Sequence, residues 1–268
     1  MLGKLMKHEF RATGRIGAPL CGIMLALSVI AGMVIRFMDE GGKYGWLDRM
    51  GSIFVTLYGM SIFAVGIGIF IVLMQHFKRN LLGDEGYLMR TLPVSIHELL
   101  LSKLFVALAW YLVSFVLTIL SAVLVGVLSG GVKLGEFGRL WEMLRQSLAG
   151  VDAGIWVQAF LAYIGAAGFL TLLFYADFTM TQSFSKHKLL YNVMGVVIFI
   201  VLLRLIFALN GWLDAALPTS IGVIGGVDGP MEIHVTRGTY IGMIELYLFD
   251  ALLYFLTWAF LKYRPNLE

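Results

Sequence analysis

The fold of this chain is decided by the stretch Leu104–Leu128, which reads LFVALAWYLVSFVLTILSAVLVGVL and carries no charged side chain. A helix that crosses a bilayer needs about 20 mainly apolar residues, because the hydrocarbon core is about 30 Å thick. The stretch meets this length without interruption. We therefore predict a transmembrane helix here and ask whether the rest of the chain has the same character.

The composition of the whole chain agrees with a membrane protein. Of its 268 residues, 59% are hydrophobic and 14% are charged, and the mean hydropathy is +0.86. Globular domains average about 45–50% apolar and about 25% charged residues. A chain this apolar could not cover its own core with polar surface in water, so lipid is its expected solvent. The net charge of only +3 gives little support for a nucleic-acid partner.

Five further segments are long and apolar enough to cross a bilayer. They are Ile16–Ile35, Ile53–Gln75, Gly154–Ala176, Tyr191–Leu213 and Tyr240–Leu261. We therefore predict an all-α polytopic protein with six transmembrane helices, in which residues 1–268 form a single transmembrane domain.

The orientation follows from the lysines and arginines of the short loops, which resist translocation. If the N-terminus is cytoplasmic, the inside segments carry more of these cations than the outside segments, chiefly within Met1–Arg15 and Gln75–Lys103. Both termini are therefore expected in the cytoplasm.

Two segments outside the spans have amphipathic patterns. In Met1–Gly14, apolar residues fall on one helical face and Lys4, Lys7 and Arg11 point elsewhere. This pattern predicts a helix in the cytoplasmic interface, with its basic face toward anionic headgroups, ending at Gly14. Lys133–Leu148 has a similar pattern, which fits either an external interfacial helix or a loop helix packed on protein.

The loop between the second and third spans, residues 79–103, has the most specific pattern. It contains GDEGYLMRTLPVSIHE at Gly83–Glu98. Pro93 disfavours helix at Leu92, and Ser95 with Glu98 forms the S-x-x-E capping box that begins a new helix. The pattern therefore predicts a helix, a sharp break and a second helix. Together they would form a rigid elbow beneath the membrane that could transmit force.

Motifs for hydrolytic or metal chemistry are missing from the sequence. There is no G-x-x-x-x-G-K-[ST] phosphate loop, no H-E-x-x-H and no G-x-S-x-G, so we expect that the chain is not itself an ATPase or another enzyme and holds no cofactor or metal. The five histidines are scattered, mostly at span ends, and each is expected to be an ordinary interfacial polar residue.

Three charged residues lie inside predicted spans, where an ionisable group is expensive and is functional by default. Arg204 lies in the fifth span, and Glu245 and Asp250 lie in the sixth. From their similar depth we hypothesise an ion pair between the two spans. It could fix the fold, or the charges could contact substrate, or Arg204 could extend toward the headgroups.

Small and hydroxyl-bearing residues also recur within two spans. Ser114, Thr118 and Ser121 share one face of the third span, and Gly165 with Gly168 permits close approach in the fourth. Such spacing is typical of helix-packing surfaces. A substrate path is the alternative.

The loop between the second and third spans resembles the corresponding loop of a known family. The run DEGYLMRTLPVS at Asp84–Ser95, followed by LSKL at Leu101–Leu104, is similar to the loop between the second and third spans of bacterial type-2 ABC (ATP-binding cassette) transporter permeases. The overall plan resembles that family as well: an N-terminal interfacial helix, six spans and both ends inside.

The resemblance implies a function and a set of partners. In that family the loop carries a coupling helix that docks into a separate ATPase subunit, and two permease chains form one pathway. ATP and Mg would be bound by the partner ATPase. Members often export their substrates. Carried over by position, the residues that would contact the ATPase are Asp84, Glu85, Gly86, Tyr87, Leu88 and Arg90.

Three other classes of protein fit parts of the sequence. A proton-coupled secondary transporter could use Asp250 or Glu245, although no internal repeat supports that plan. An intramembrane enzyme would need converging polar groups at one depth. A sensor or immunity protein would bind its ligand without moving it.

Overall fold

The computed structural model describes most of the chain, and its helices are much longer than the predicted spans. The residues described are 2–41, 45–83, 86, 94–130, 138, 142, 153–183, 193, 195, 197, 201–202, 204–206, 208–209, 211–212, 219–226 and 229–263. Five long helices and one hairpin lie within these ranges. They are α1 (Leu2–Gly41), α2 (Gly45–Phe77), α3 (Ile96–Leu128), α4 (Ala153–Ser183), β1 (Thr219–Gly226), β2 (Gly229–Thr236) and α5 (Arg237–Tyr263).

All five helices of the described residues are long and apolar enough to cross a membrane. They contain five of the six predicted spans. Large apolar side chains such as Phe63 and Leu248 are 74% and 66% exposed, which fits surfaces that face lipid tails rather than water. The all-α, polytopic class is confirmed.

The remaining predicted span, Tyr191–Leu213, falls partly outside the described residues. The positions described within it are helical. Two of them, Leu202 and Ile206, pack against a buried cluster of α4 and α5 that contains Phe169, Leu173 and Leu253. A helix packed on this cluster agrees with the prediction of a span.

A β-hairpin lies between this segment and α5, where the sequence pattern predicts only a loop. β1 and β2 pair antiparallel, with Thr219 opposite Thr236 and Gly226 opposite Gly229. The hairpin adds two strands to the helical plan. The segment is rich in glycine, which is depleted in strands, so its composition did not indicate a strand.

The predicted break at Gly14 is wrong. α1 continues without interruption from Leu2 to Gly41, so the helix predicted for residues 1–14 and the first span are one element about 60 Å long. The buried positions near its start are Glu9 and Thr13 rather than apolar residues. Tertiary contacts to these polar side chains hold the helix together across Gly14, because helix propensity is a weak preference that packing overrides.

The chain divides into two compact units. The N-terminal unit comprises Gly3–His76 and Phe105–Trp141, and the C-terminal unit comprises Phe77–Leu104 and Glu142–Glu268 together with Met1–Leu2. In the N-terminal unit, α1 and α3 approach closely where a Cβ at Gly32 would lie 2.7 Å from the Leu128 Cβ. In the C-terminal unit, α4 packs along α5. The elbow loop belongs to the C-terminal unit.

Candidate functional site

The elbow loop begins where α2 ends, and its first residues are held by α4. The ring of Phe77, which is completely buried, stacks on the ring of Tyr175 with 3.6 Å between centroids. The chain then makes a π-helical turn at Lys78–Leu82, a form that occurs often at functional sites. The Lys78 ammonium lies 5.8 Å from the centre of the Phe178 ring. Two contacts with α4 therefore fix the start of the loop.

The π-helical turn ends at a glycine that no larger residue could replace without movement. A Cβ at Gly83 would lie 2.8 Å from the carbonyl oxygen of Arg79. The amide of Gly86 donates a hydrogen bond to the Gly83 carbonyl at 2.8 Å, which closes a tight turn. Gly86 is buried. The other residues predicted to contact the ATPase, namely Asp84, Glu85, Tyr87, Leu88 and Arg90, lie outside the described residues.

The predicted capping box is present at the far end of the loop. The Glu98 amide donates to Ser95 Oγ at 3.2 Å, and the Ser95 amide donates to a Glu98 carboxylate oxygen at 3.1 Å. α3 begins at Ile96, directly after Ser95. These reciprocal bonds satisfy two amides that a helix start leaves unpaired. The start of α3 is thus fixed at one residue.

His97, one residue from the capping box, joins the loop to α5. Its Nδ1 hydrogen-bonds with the Tyr254 hydroxyl at 2.9 Å, and its ring stacks on Trp258 with 4.9 Å between centroids. The Lys262 ammonium lies 4.7 Å from the centre of the Trp258 ring. Sequence reasoning treated His97 as an ordinary polar residue. The available signal was the spacing of Tyr254 and Trp258, four residues apart on one helical face.

Both ends of the elbow are therefore anchored to transmembrane helices of the same unit. Phe77 and Lys78 contact α4 at the start of the loop, and His97 contacts α5 at its end. Stacked aromatic pairs contribute about 0.5–1.5 kcal/mol beyond the area that they bury. A displacement of the loop would reach α4 and α5 directly.

The hypothesised ion pair of Arg204 is absent from the described part of the chain. Arg204 is exposed, and the salt bridge found among described residues joins Glu9 and His76 instead. Asp250 is directed toward α4, since its Oδ2 lies 3.2 Å from where a Cβ at Gly168 would stand. Similar predicted depth in the membrane therefore did not mean that Arg204 pairs with this carboxylate.

Four polar side chains of the C-terminal unit each have a buried oxygen without a hydrogen-bond partner among the described residues. They are Gln158, Asp177, Glu245 and Asp250. Asp177 was missed because it lies one residue beyond the predicted end of the fourth span, inside the longer helix α4. An ionisable or polar group within a membrane span is expensive, so these side chains are candidates for a functional role.

The small and hydroxyl-bearing residues behave as packing groups. Thr118 and Ser121 donate to carbonyls of their own helix at 2.8 Å each, and Ser121 also hydrogen-bonds with the Tyr58 hydroxyl at 2.9 Å. In the C-terminal unit, a Cβ at Gly165 would lie 2.9 Å from a Leu246 methyl group. These contacts favour packing over a substrate path.

The five long helices and the anchored elbow define the class as a multi-pass membrane protein with a structured loop between two spans. A family model described as "ABC-2 family transporter protein" matches residues 15–157. The match covers more than half of the chain, including the whole elbow, and the chain therefore belongs to the ABC-2 transporter family as a permease component of an ABC transporter. No curated protein and no solved structure gave a match.

Proposed function

We propose that the chain is the permease subunit of an exporter in a bacterial cytoplasmic membrane, and that a separate ATPase subunit drives it through the elbow at residues 79–103. Two permease chains, identical or related, would form the pathway. The observation that carries the proposal is the double anchorage of the elbow, by Phe77 to α4 and by His97 to α5.

The anchorage supports a mechanical role because a push is transmitted only by a stiff element. The capping box fixes where α3 begins, and the turn at Gly83 and Gly86 closes the other side. ATP binding and closure of two ATPase subunits would press on residues 84–90, and the aromatic contacts would pass the movement to α4 and α5. ATP and Mg would remain in the partner, and both termini of the permease would lie on the same side as the elbow.

The proposal can be tested with a P-loop ATPase, sought first among the reading frames that neighbour the gene. Tagged permease is expected to co-purify with this ATPase and to change its rate of ATP hydrolysis in proteoliposomes. Glu85→Ala and Tyr87→Ala should each weaken co-purification or coupling about tenfold, as for central residues of an interface. Glu142→Ala is the matched control, because Glu142 is exposed and is predicted to lie on the opposite side of the membrane.

Two results would overturn the proposal. One is that the ATPase binds and is stimulated equally by the natural chain, Glu85→Ala and Tyr87→Ala. The other is that residues 83–98 prove accessible only from outside the cell, which a membrane-impermeant thiol reagent applied to Ser95→Cys in whole cells would reveal.

A proton-coupled mechanism is the second candidate, and it is favoured by the buried carboxylate oxygens of Glu245 and Asp250 that have no hydrogen-bond partner among the described residues. Family membership favours the ATP-driven reading. The two are separated by Asp250→Asn in proteoliposomes that contain the ATPase. A proton-coupled transporter would transport substrate without ATP and would lose that transport in Asp250→Asn. An ATP-driven permease should transport only when ATP is supplied, with or without this change.

A further inference from the structure

A groove between α1 and α3 lies entirely within the N-terminal unit and is separate from the elbow. Its volume is about 820 Å³, within the range of small-molecule sites. Its walls combine three cations with apolar side chains. The residues that line it are Met6, Lys7, Phe10, Arg11, Gly14, Arg15, Ala18, Val106, Ala109 and Trp110.

The back wall of the groove is a tryptophan fixed in position by three contacts. The Trp110 ring stacks on Phe10 with 4.9 Å between centroids, and its Nε1 donates to Thr13 Oγ1 at 2.8 Å. Thr13 in turn donates to the Glu9 carbonyl at 2.9 Å. A Cβ at Gly17 would lie within 2.9–3.2 Å of the ring, so Gly17 provides the space that Trp110 occupies. The wall is therefore preformed.

The three cations lie along one edge of the groove. Lys7, Arg11 and Arg15 are spaced four residues apart, so they follow one face of α1, and all three are exposed. Among the residues that the structure describes, none of the three makes an ion pair. A row of unpaired cations beside an apolar wall is complementary to a ligand with an anionic end and an apolar tail.

The depth of these residues in the membrane indicates which class of ligand fits the groove. The uncharged part of α1 begins at Ile16, so Arg15 lies at its edge and Arg11 about 6 Å further along the helix axis. The headgroup layer of a bilayer is about 5–8 Å deep on each side. The Trp110 ring reaches across to Phe10, Thr13 and Gly17 of α1, so it lies at the level of Arg11 and Arg15, and Ala18 continues the groove toward the uncharged part of α1. Arg11 and Arg15 thus match the phosphate level, and the Trp110 ring with Ala18 lies where an acyl chain would begin.

We infer that the α1–α3 groove binds one acidic phospholipid, with its phosphate on Arg11 and Arg15, Lys7 beside its headgroup, and an acyl chain along Trp110 and Ala18. Basic pockets between transmembrane helices on the cytoplasmic side are typical sites for anionic headgroups. The inference uses the orientation given under the proposed function, but it involves neither the elbow nor the ATPase. Bound lipid would cover the groove and hold the start of α1 against α3.

The experiment uses the full chain purified in detergent, without the ATPase, and native mass spectrometry during titration with lipid. The probes are a phosphatidylglycerol and a phosphatidylcholine with the same acyl chains. One phosphatidylglycerol is expected to remain bound. Arg11→Gln with Arg15→Gln should weaken its binding about 30-fold, which corresponds to about fivefold for each cation.

Two controls separate a groove from general attraction to positive charge. Lys4→Gln with Arg49→Gln removes the same charge from exposed positions outside the groove and should leave binding unchanged. Ala18→Trp fills the groove while keeping every cation and should abolish the tightly bound lipid. Because Ala18 is exposed, the variant should fold, which an unchanged unfolding temperature in lipid-free detergent would verify.

Several outcomes would overturn the inference. Equal losses in the two double variants would indicate diffuse surface attraction. Full binding to Ala18→Trp would place the lipid elsewhere, and equal retention of phosphatidylcholine would remove the role of the cations. If glycerol 3-phosphate displaced the lipid at similar concentration, the site would be one for a free phosphate compound. None of these results would alter the co-purification test of the proposed function.

Discussion

The imidazole Nε2 of His76 lies 2.5 Å from the carboxylate Oε2 of Glu9, and this contact joins the N-terminal part of α1 to the last turn of α2. Glu9 is only 5% exposed. A carboxylate this buried requires a partner, because burying an unpaired charge is expensive. The contact explains why a glutamate occupies a position on the face of α1 that is buried against other helices.

Glu9→Ala should therefore destabilise the chain by about 1–3 kcal/mol, because His76 is left without this partner. The measurement is the unfolding midpoint of the purified chain in mixed micelles titrated with SDS. The double variant Glu9→Ala with His76→Ala should lose less than the sum of the two single variants. Additive losses would contradict the coupling, and Glu142→Ala serves as the control for removing an exposed glutamate.

The membrane spans were predictable from sequence, whereas contacts between distant residues were not. Spans can be predicted because the bilayer imposes a minimum apolar length and because a helix satisfies all the backbone hydrogen bonds of a segment in lipid. The capping box at Ser95 and Glu98 could also be predicted, because its two residues lie within one helical turn of each other. Gly14 was misread as a stop because the contacts that hold α1 across it involve other helices, as in the hydrogen bond from Trp110 to Thr13.

The candidate site shows the same division. Its position in the chain and its turn glycines were apparent from the sequence, whereas the anchors Tyr175, Tyr254 and Trp258 come from helices far along the chain. The predicted pair of Arg204 with Glu245 or Asp250 is absent among the described residues, because similar depth in two spans does not determine which helix faces meet. Rotation of a helix about its axis is set by packing, which the sequence does not display.

Close packing of α4 on α5 gives a further prediction. Gly165→Val should destabilise the C-terminal unit by about 1–3 kcal/mol, because a Cβ there would stand 2.9 Å from a Leu246 methyl group and overpacking forces side chains off their preferred rotamers. The readout is the thermal unfolding temperature in detergent. Gly66→Val is the matched control, since no atom lies within 4 Å of a Cβ at Gly66. Equal effects of the two changes would refute the close contact.

Arg204 offers a test of the missing ion pair. Arg204→Leu is expected to fold and to keep the unfolding temperature of the natural chain, because the side chain is exposed and has no acidic partner among the described residues. Leucine also suits a lipid-facing position better than arginine. Loss of folded protein in size-exclusion chromatography, rescued by Asp250→Asn, would instead demonstrate that the charge balances a buried carboxylate.

The contact of His97 with α5 yields the most direct prediction for coupling. His97→Ala removes the hydrogen bond with Tyr254 and the stack on Trp258, so the elbow should still bind the ATPase but should transmit its movement poorly. His97→Phe keeps the stack and loses only the hydrogen bond, and should have a smaller effect. The measurements are co-purification of the ATPase and its stimulation by the permease in proteoliposomes.

The order expected for stimulation is natural chain, His97→Phe and then His97→Ala, with the amount of co-purified ATPase unchanged throughout. This separation of binding from stimulation distinguishes transmission from docking, because a residue of the docking surface would lose both together. His8→Ala is the control, since His8 is exposed on α1, outside the elbow. If His97→Ala stimulated the ATPase as well as the natural chain does, α5 would not receive the movement through this contact.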